Sequence, residues 1–168
     1  MLCATILKYL YWWCGGSIYH IALYIIAAKT FTFAVDTAMK NPFTAGDKKF
    51  YTKIVATNET AQFESGQVHP VYATFALGKD AEWSTRLFVL EMKEEDEEGI
   101  GTFLTVYHQS PALVGQEVTF EAEVVKIEKN EVICKYTARV GDRVVATGET
   151  GQKILKKEKV ERLFASLQ

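Results

Sequence analysis

Val118–Val140, VTFEAEVVKIEKNEVICKYTARV, reads as two long strands joined by a tight turn. Val118, Phe120, Ala122 and Val124 alternate with polar residues, and Ile127 continues the run one step out of phase. After Lys129-Asn130 the alternation resumes at Val132, Cys134, Tyr136, Ala138 and Val140. A period of two sets one apolar face against a core, and a two-residue turn between such runs makes an antiparallel hairpin. Gly141-Asp142 repeats the turn, and Arg143 to Leu155 follows as a further strand. Upstream, Thr102, Leu104, Val106 and His108 alternate with Phe103, Thr105 and Tyr107, a strand with two usable faces.

Such a meander needs a partner for its apolar side. Phe75 to Met92 has no proline and only Gly78 as a breaker, with Leu77, Ala81, Thr85 and Phe88 at helical spacings. Lys49 to Thr57 (KFYTKIVAT) is a β-branched and aromatic run, expected as a first strand. Asn58 to Pro70 reads as a connecting loop with at most a helical turn. The acidic run Glu94 to Glu98, closed by Gly99, reads as a solvated loop, and Lys156 to Leu167 as an amphipathic helix. Strand, helix, then a meander of long antiparallel strands is an α+β order in which a curved sheet wraps one long helix, the hotdog fold in outline.

The chain has 168 residues with a net charge of -2, which fits one globular domain and speaks against a nucleic-acid binder held by a basic surface. Charge is unevenly placed. Residues 1–38 hold only Lys8, Lys29 and Asp36 of the 40 Lys, Arg, Asp and Glu side chains. Residues 9–28 carry no formal charge and are long enough to cross a bilayer as a helix, with Tyr9, Tyr11, Trp12 and Trp13 as an aromatic belt. Three readings stay open for residues 1–38: a membrane anchor, a signal peptide, or an extension that the functional protein, starting at Met39, does not need. The division expected is residues 1–38 as an apolar segment and residues 39–168 as the functional domain. Cys3, Cys14 and Cys134 have no metal-ligand spacing, Cys134 reads as a buried strand residue, and neither a metal cluster nor a cofactor motif is visible.

Candidates for chemistry are few. His108 ends an alternating strand and reads either as a strand-end residue half in solvent or as a general acid/base. His69 is the other histidine of the body. Glu82, between Ala81 and Trp83, either pairs with Arg86 one turn on or, desolvated beside Trp83, serves as base or nucleophile. Thr74 directly precedes the helix, where it caps the N-terminus or joins free N–H groups that can polarise a carbonyl.

The runs VYATFALGKDAEW (Val71–Trp83) and GTFLTVYHQSPALVGQEV (Gly101–Val118) resemble the fluoroacetyl-CoA thioesterase-like family of hotdog proteins. The family's Thr in an F-A-T segment, Glu before Trp on the central helix and His on the next strand match Thr74, Glu82 and His108; Gly101 and Gly115 match as well. The resemblance implies a homodimer with two active sites at the subunit interface, hydrolysing short or medium acyl-CoA thioesters. It makes Thr74, Glu82 and His108 catalytic and places Phe75, Trp83 and Gly101 against the substrate. It implies no cofactor, no metal and no nucleic-acid partner. A cytoplasmic location follows from where CoA thioesters occur, with residues 9–28 as the segment able to tether the protein to a membrane. Two segments depart from the family pattern. Gly148–Lys153 (GETGQK) stands where a G-x-x-H-x-R-like run is usual, and Glu64–His69 has no aromatic where the namesake has lid aromatics, so selectivity for fluoroacetyl-CoA does not carry over. The alternative is a non-catalytic acyl-CoA or lipid-binding hotdog module; a hydratase lacks the expected Asp–His pair.

Overall fold

A computed structural model describes residues 39–168. In chain order these form β1 (Lys48–Ile54), a 3-10 turn (Thr57–Glu59), β2 (Thr60–Phe63), β3 (Gly66–Tyr72), α1 (Thr74–Met92), β4 (Glu97–Leu104), β5 (Tyr107–His108), β6 (Glu117–Glu128), β7 (Glu131–Val140), β8 (Arg143–Lys156) and α2 (Lys157–Ala165). The membrane-anchor, signal-peptide and extension readings fall on residues 1–38, outside the described residues. Among the described residues no helix is long and apolar enough to cross a membrane.

The main sheet is antiparallel in the order β1-β6-β7-β8-β4, with β5 pairing β8 beyond the end of β4. Phe120 pairs Ala138, Ala122 pairs Tyr136 and Val124 pairs Cys134, so the alternating faces of β6 and β7 coincide. All six of these residues are buried. Their two-residue turns use left-handed backbone at Lys129 and Gly141, both with φ 56°. The sheet curls around α1, which is the hotdog arrangement expected.

Helix α1 buries Leu77, Ala81, Thr85 and Phe88 as its spacing predicts. Two apolar clusters cover it. One joins Leu77 and Ala81 to Val55, Phe120, Tyr136 and Val145; the other joins Phe88, Val89 and Met92 to Val124, Val132 and Ile154. Between them lies a polar layer in which the Thr150 hydroxyl donates to Thr85 Oγ1 at 2.8 Å, beside the buried Gln152. Burial lifts the Cys134 thiol to about 12, so it packs as a small apolar group.

Three expectations are corrected. Asn58–Pro70 is not a plain loop: β2 and β3 form a separate two-stranded sheet. Its strands are largely exposed and irregular, with a register shift on either side of Ala61, so no alternation announces them. Nor is the acidic run all solvated. Glu97 opens β4 and is buried, while Glu98 pairs with Arg86 at 2.6 Å and Lys93 at 3.1 Å. Finally, the strand expected over Thr102–His108 is broken after Leu104. There the Thr105 side chain replaces ladder bonds: Glu149 N–H donates to Thr105 Oγ1 at 2.8 Å, and Tyr136 Oη–H donates to the Thr105 carbonyl at 2.9 Å. Gly148 lies so close beneath that carbonyl that a Cβ has no room.

Burial opposes ionisation of Glu98, but its own Gly99 N–H, Lys93 and Arg86 together outweigh that and hold its carboxyl at about 2. A carboxyl lowered from 4.5 on folding stabilises the fold above pH 4.5 and loses that contribution as pH falls toward 2. The group is partly solvated, so the effect is screened. Glu98→Gln is expected to lower stability by about 1 kcal/mol at pH 7. In urea titrations the difference should shrink through the acid range and vanish near pH 2; a gap that persists there contradicts the pairing.

Candidate active site

The edge strand runs antiparallel along α1, and glycines set how closely. A Cβ on Gly99 would stand 2.5 Å from Val89 Cγ1, and one on Gly101 would stand 2.6 Å from Glu82 Oε1. Further on, Leu104 and Val106 pack over Gly78 of the helix. This alignment brings His108, on β5, to the helix start, where its Nε2 shares a 2.9 Å hydrogen bond with Thr74 Oγ1.

Thr74 is therefore not an N-cap. Ala73 holds that position without a side-chain bond, and Thr74 is the first helical residue. The first intrahelical bond runs from Leu77 N–H to the Ala73 carbonyl at 2.9 Å. The N–H groups of Thr74, Phe75 and Ala76 precede that bond and project from the helix start. Together with the Thr74 hydroxyl they make a place suited to a polarised carbonyl oxygen.

Glu82 lies elsewhere. Eight helical residues separate it from Thr74, about 12 Å along the axis. Nor does it pair with Arg86, whose guanidinium donates to the Gly99 carbonyl at 3.1 Å and binds Glu98 instead. Thr74 and His108 line a cavity of about 400 Å³ with His69, Val71, Ser110 and Val145. Glu82 and Trp83 line another, of about 490 Å³, with Tyr51, Lys79, Asp80 and Arg86. Within one protomer the histidine and threonine meet and the glutamate does not join them. Gly101 touches the Glu82 carboxylate, whereas Phe75 and Trp83 are exposed on the helix at 61% and 42%.

One group of residues went unnoticed in the sequence. Asp80, almost fully buried in mid-helix, pairs with Lys53 of β1 at 3.0 Å and accepts a bond from the Tyr72 hydroxyl. Lys53 also binds Glu59 of the 3-10 turn. Burial works against the Lys53 charge, but Glu59 and Asp80 prevail and raise its pKa. Burial and the Asp80 carboxylate both push the Tyr72 hydroxyl far above its ordinary value. The four side chains clasp β1, the 3-10 turn and the end of β3 to the helix immediately before Thr74. The signal was present as a carboxylate on the apolar stripe of α1, one position before Ala81.

A profile of the family described as fluoroacetyl-CoA-specific thioesterase matches residues 55–158. The chain belongs to that family. Membership makes it an acyl-CoA thioesterase, and it favours hydrolysis over the binding-only alternative. Among solved structures it resembles a hypothetical protein of Thermus thermophilus described as a thioesterase superfamily member, at 38% identity over 75% of this chain and 93% of that one, with a TM-score of 0.72. It shares its fold with the fluoroacetyl-CoA thioesterase FlK, at 19% identity, 76% and 99% coverage and a TM-score of 0.70. A hot-dog-like protein from Thermanaerovibrio acidaminovorans gives 21% identity, 74% and 92% coverage and a TM-score of 0.68. No curated protein matches at a significant level. The departure at Gly148–Lys153 has a structural counterpart. Gly151 stands where the family pattern carries its His, and a Cβ there would collide with the Phe103 ring and Thr102 Oγ1.

The clasp is testable by its loss. Asp80→Ala leaves Lys53 with Glu59 alone and the Tyr72 hydroxyl with only the long 3.5 Å bond to the Ala76 carbonyl. It is expected to cost about 3 kcal/mol in chemical denaturation. Tyr72→Phe, which removes only the hydroxyl, is expected to cost about 1 kcal/mol. Equal, small effects from both would contradict the clasp.

Proposed function

We propose that the chain hydrolyses short or medium acyl-CoA thioesters at a site built from Glu82 of one protomer and Thr74 and His108 of its partner in a homodimer. The supporting observation is the separation of these residues: they line two cavities in one protomer, with about 12 Å of helix between Thr74 and Glu82. Convergence by a second copy has a ready surface. Among the described residues strand β4 ends the sheet and pairs only with β8. Its outer stretch exposes Phe103 and Leu104, and from Gly99 to Leu104 it carries neither lysine nor proline to blunt the edge. A two-fold pairing along this edge continues the sheet and lays the two α1 helices side by side, covering Trp83 and Leu90.

In this reading the thioester carbonyl oxygen accepts bonds from N–H groups at the start of α1 and from the Thr74 hydroxyl. Glu82 of the facing protomer acts as general base on water, or as the nucleophile itself. His108 protonates the sulfur as the C–S bond breaks, and the products are the free acid and CoA. Gly101 leaves the Glu82 carboxylate room beside the edge strand, and Phe75 and Trp83 flank the acyl and thiol ends of the substrate. Residues 39–168 carry all of these groups.

Mixing two defective variants tests the composite site. Glu82→Gln and His108→Ala are each expected to lower kcat by about 10²-fold or more in CoA-release assays. Randomly mixed protomers then form heterodimers in which one site has both lesions and the other has none, so roughly a quarter of wild-type activity should return. No recovery on mixing would place the three residues in one protomer, and full activity in either variant alone would remove that residue from the site.

A further inference from the structure

His69 is the one histidine of the described residues that the reaction above leaves unused, yet it lines the same cavity as Thr74 and His108. It sits on β3 opposite Ala61, and with Val71, two residues on, it forms the wall contributed by the β2–β3 hairpin. Like its neighbour Val68, His69 is exposed, so the hairpin wall of the cavity is open to solvent. The remaining wall mixes the small apolar Ala112 and Val145 with Tyr72, Gln109 and Ser110, and among the described residues no aspartate or glutamate lines the cavity. Behind it the Arg143 guanidinium donates to Ser110 Oγ at 2.7 Å and to Gln116 Oε1 at 3.3 Å. The Asp80 carboxylate behind Tyr72 is already paired with Lys53 at 3.0 Å. The hairpin end of the cavity thus offers the His69 imidazole, with the Arg143 cation bound to the Ser110 wall, and among the described residues of the same chain no carboxylate lines it to repel an anion.

We propose that His69 determines specificity by donating a hydrogen bond to a carboxylate at the far end of the acyl chain, so that the preferred substrates are CoA half-thioesters of short dicarboxylic acids. The inference rests on the reading that Thr74 and His108 hold the thioester. Two strand residues span about 7 Å from Val71 to His69, which suits an acyl chain of a few carbons. Small apolar side chains accommodate its methylenes, and the charged terminus finds its donor at the hairpin.

Succinyl-CoA and butyryl-CoA, equal in carbon number, separate the contributions. With the full-length chain, kcat/KM for succinyl-CoA should exceed that for butyryl-CoA about tenfold or more, the size of one charge-assisted hydrogen bond. In His69→Ala that ratio should fall at least about tenfold, and His69→Gln, which keeps an N–H donor, should restore part of it. A wild-type preference for butyryl-CoA, or a ratio unmoved in His69→Ala, overturns the proposal. Should neither thioester release CoA, the hydrolytic reading fails separately, and calorimetric Kd values for the two thioesters decide. A succinyl preference that His69→Ala abolishes supports the role of His69, and equal binding refutes it.

Discussion

Contact between α1 and the edge strand β4 governs where every reactive group lies. Gly99 and Gly101 let the strand approach until Val89 and the Glu82 carboxylate fill the space that a Cβ would need. From that contact the strand runs back toward the helix start, over Gly78, and delivers His108 to Thr74. Larger residues at these glycines would push the strand outward and lose the registration of His108 on the helix start, although the rest of the meander pairs independently through β6, β7 and β8. The reactive geometry is thus held by backbone proximity more than by side-chain bonds. That is economical, because rigid elements fix a hydrogen bond such as Thr74–His108 within the tolerance that proton transfer demands.

Legibility in the sequence followed the strength of periodic signals. β6, β7 and β8 are long, alternate with period two and are joined by two-residue turns, so their boundaries lie within a few residues of expectation. α1 was equally plain because Leu77, Ala81, Thr85 and Phe88 share one face. The β2–β3 hairpin was hidden because it is largely exposed and mixed in composition, with register shifts that erase alternation. β4 was misjudged for a different reason. Its first two residues, Glu97 and Glu98, are acidic yet belong to the strand because Lys156, Lys93 and Arg86 neutralise them; Lys93 directly precedes the run, but Lys156 and Arg86 come from other elements. Local composition cannot register a charge that is compensated from elsewhere in the fold.

The same limit applies to the site. Thr74, Glu82 and His108 were picked out as a constellation, but their sequence intervals carry no information on whether one chain brings them together. Eight residues on a straight helix answer that directly: two turns place the carboxylate well beyond the reach of the Thr74 hydroxyl. Within the chain each residue has its own neighbour: a Cβ on Gly101 would press on the Glu82 carboxylate, and His108 shares its bond with Thr74. In the composite site proposed above, these two halves meet only by docking of a second copy.

In the reading proposed above, chemistry and selectivity occupy different parts of the fold. The candidate reactive groups sit on α1 and on the strands of the main sheet, whereas one wall of the cavity beside Thr74 and His108 comes from the separate β2–β3 hairpin. The hairpin is tied to the helix start by the Ala73 N–H, which donates to the Glu59 carbonyl at 2.8 Å, and by the Tyr72 hydroxyl on Asp80. Both ties lie at its base. Of the lining residues, Ala61 packs against the core and Val71 bridges to Leu113, whereas His69 is exposed. Substitution at His69 therefore alters the polarity of this cavity wall while the Thr74–His108 bond, fixed from the other side by β5, stays in place. The stretch Glu64–His69, which has none of the family's lid aromatics and ends in His69, lies on this hairpin, the wall at which the proposed reading selects the acyl group.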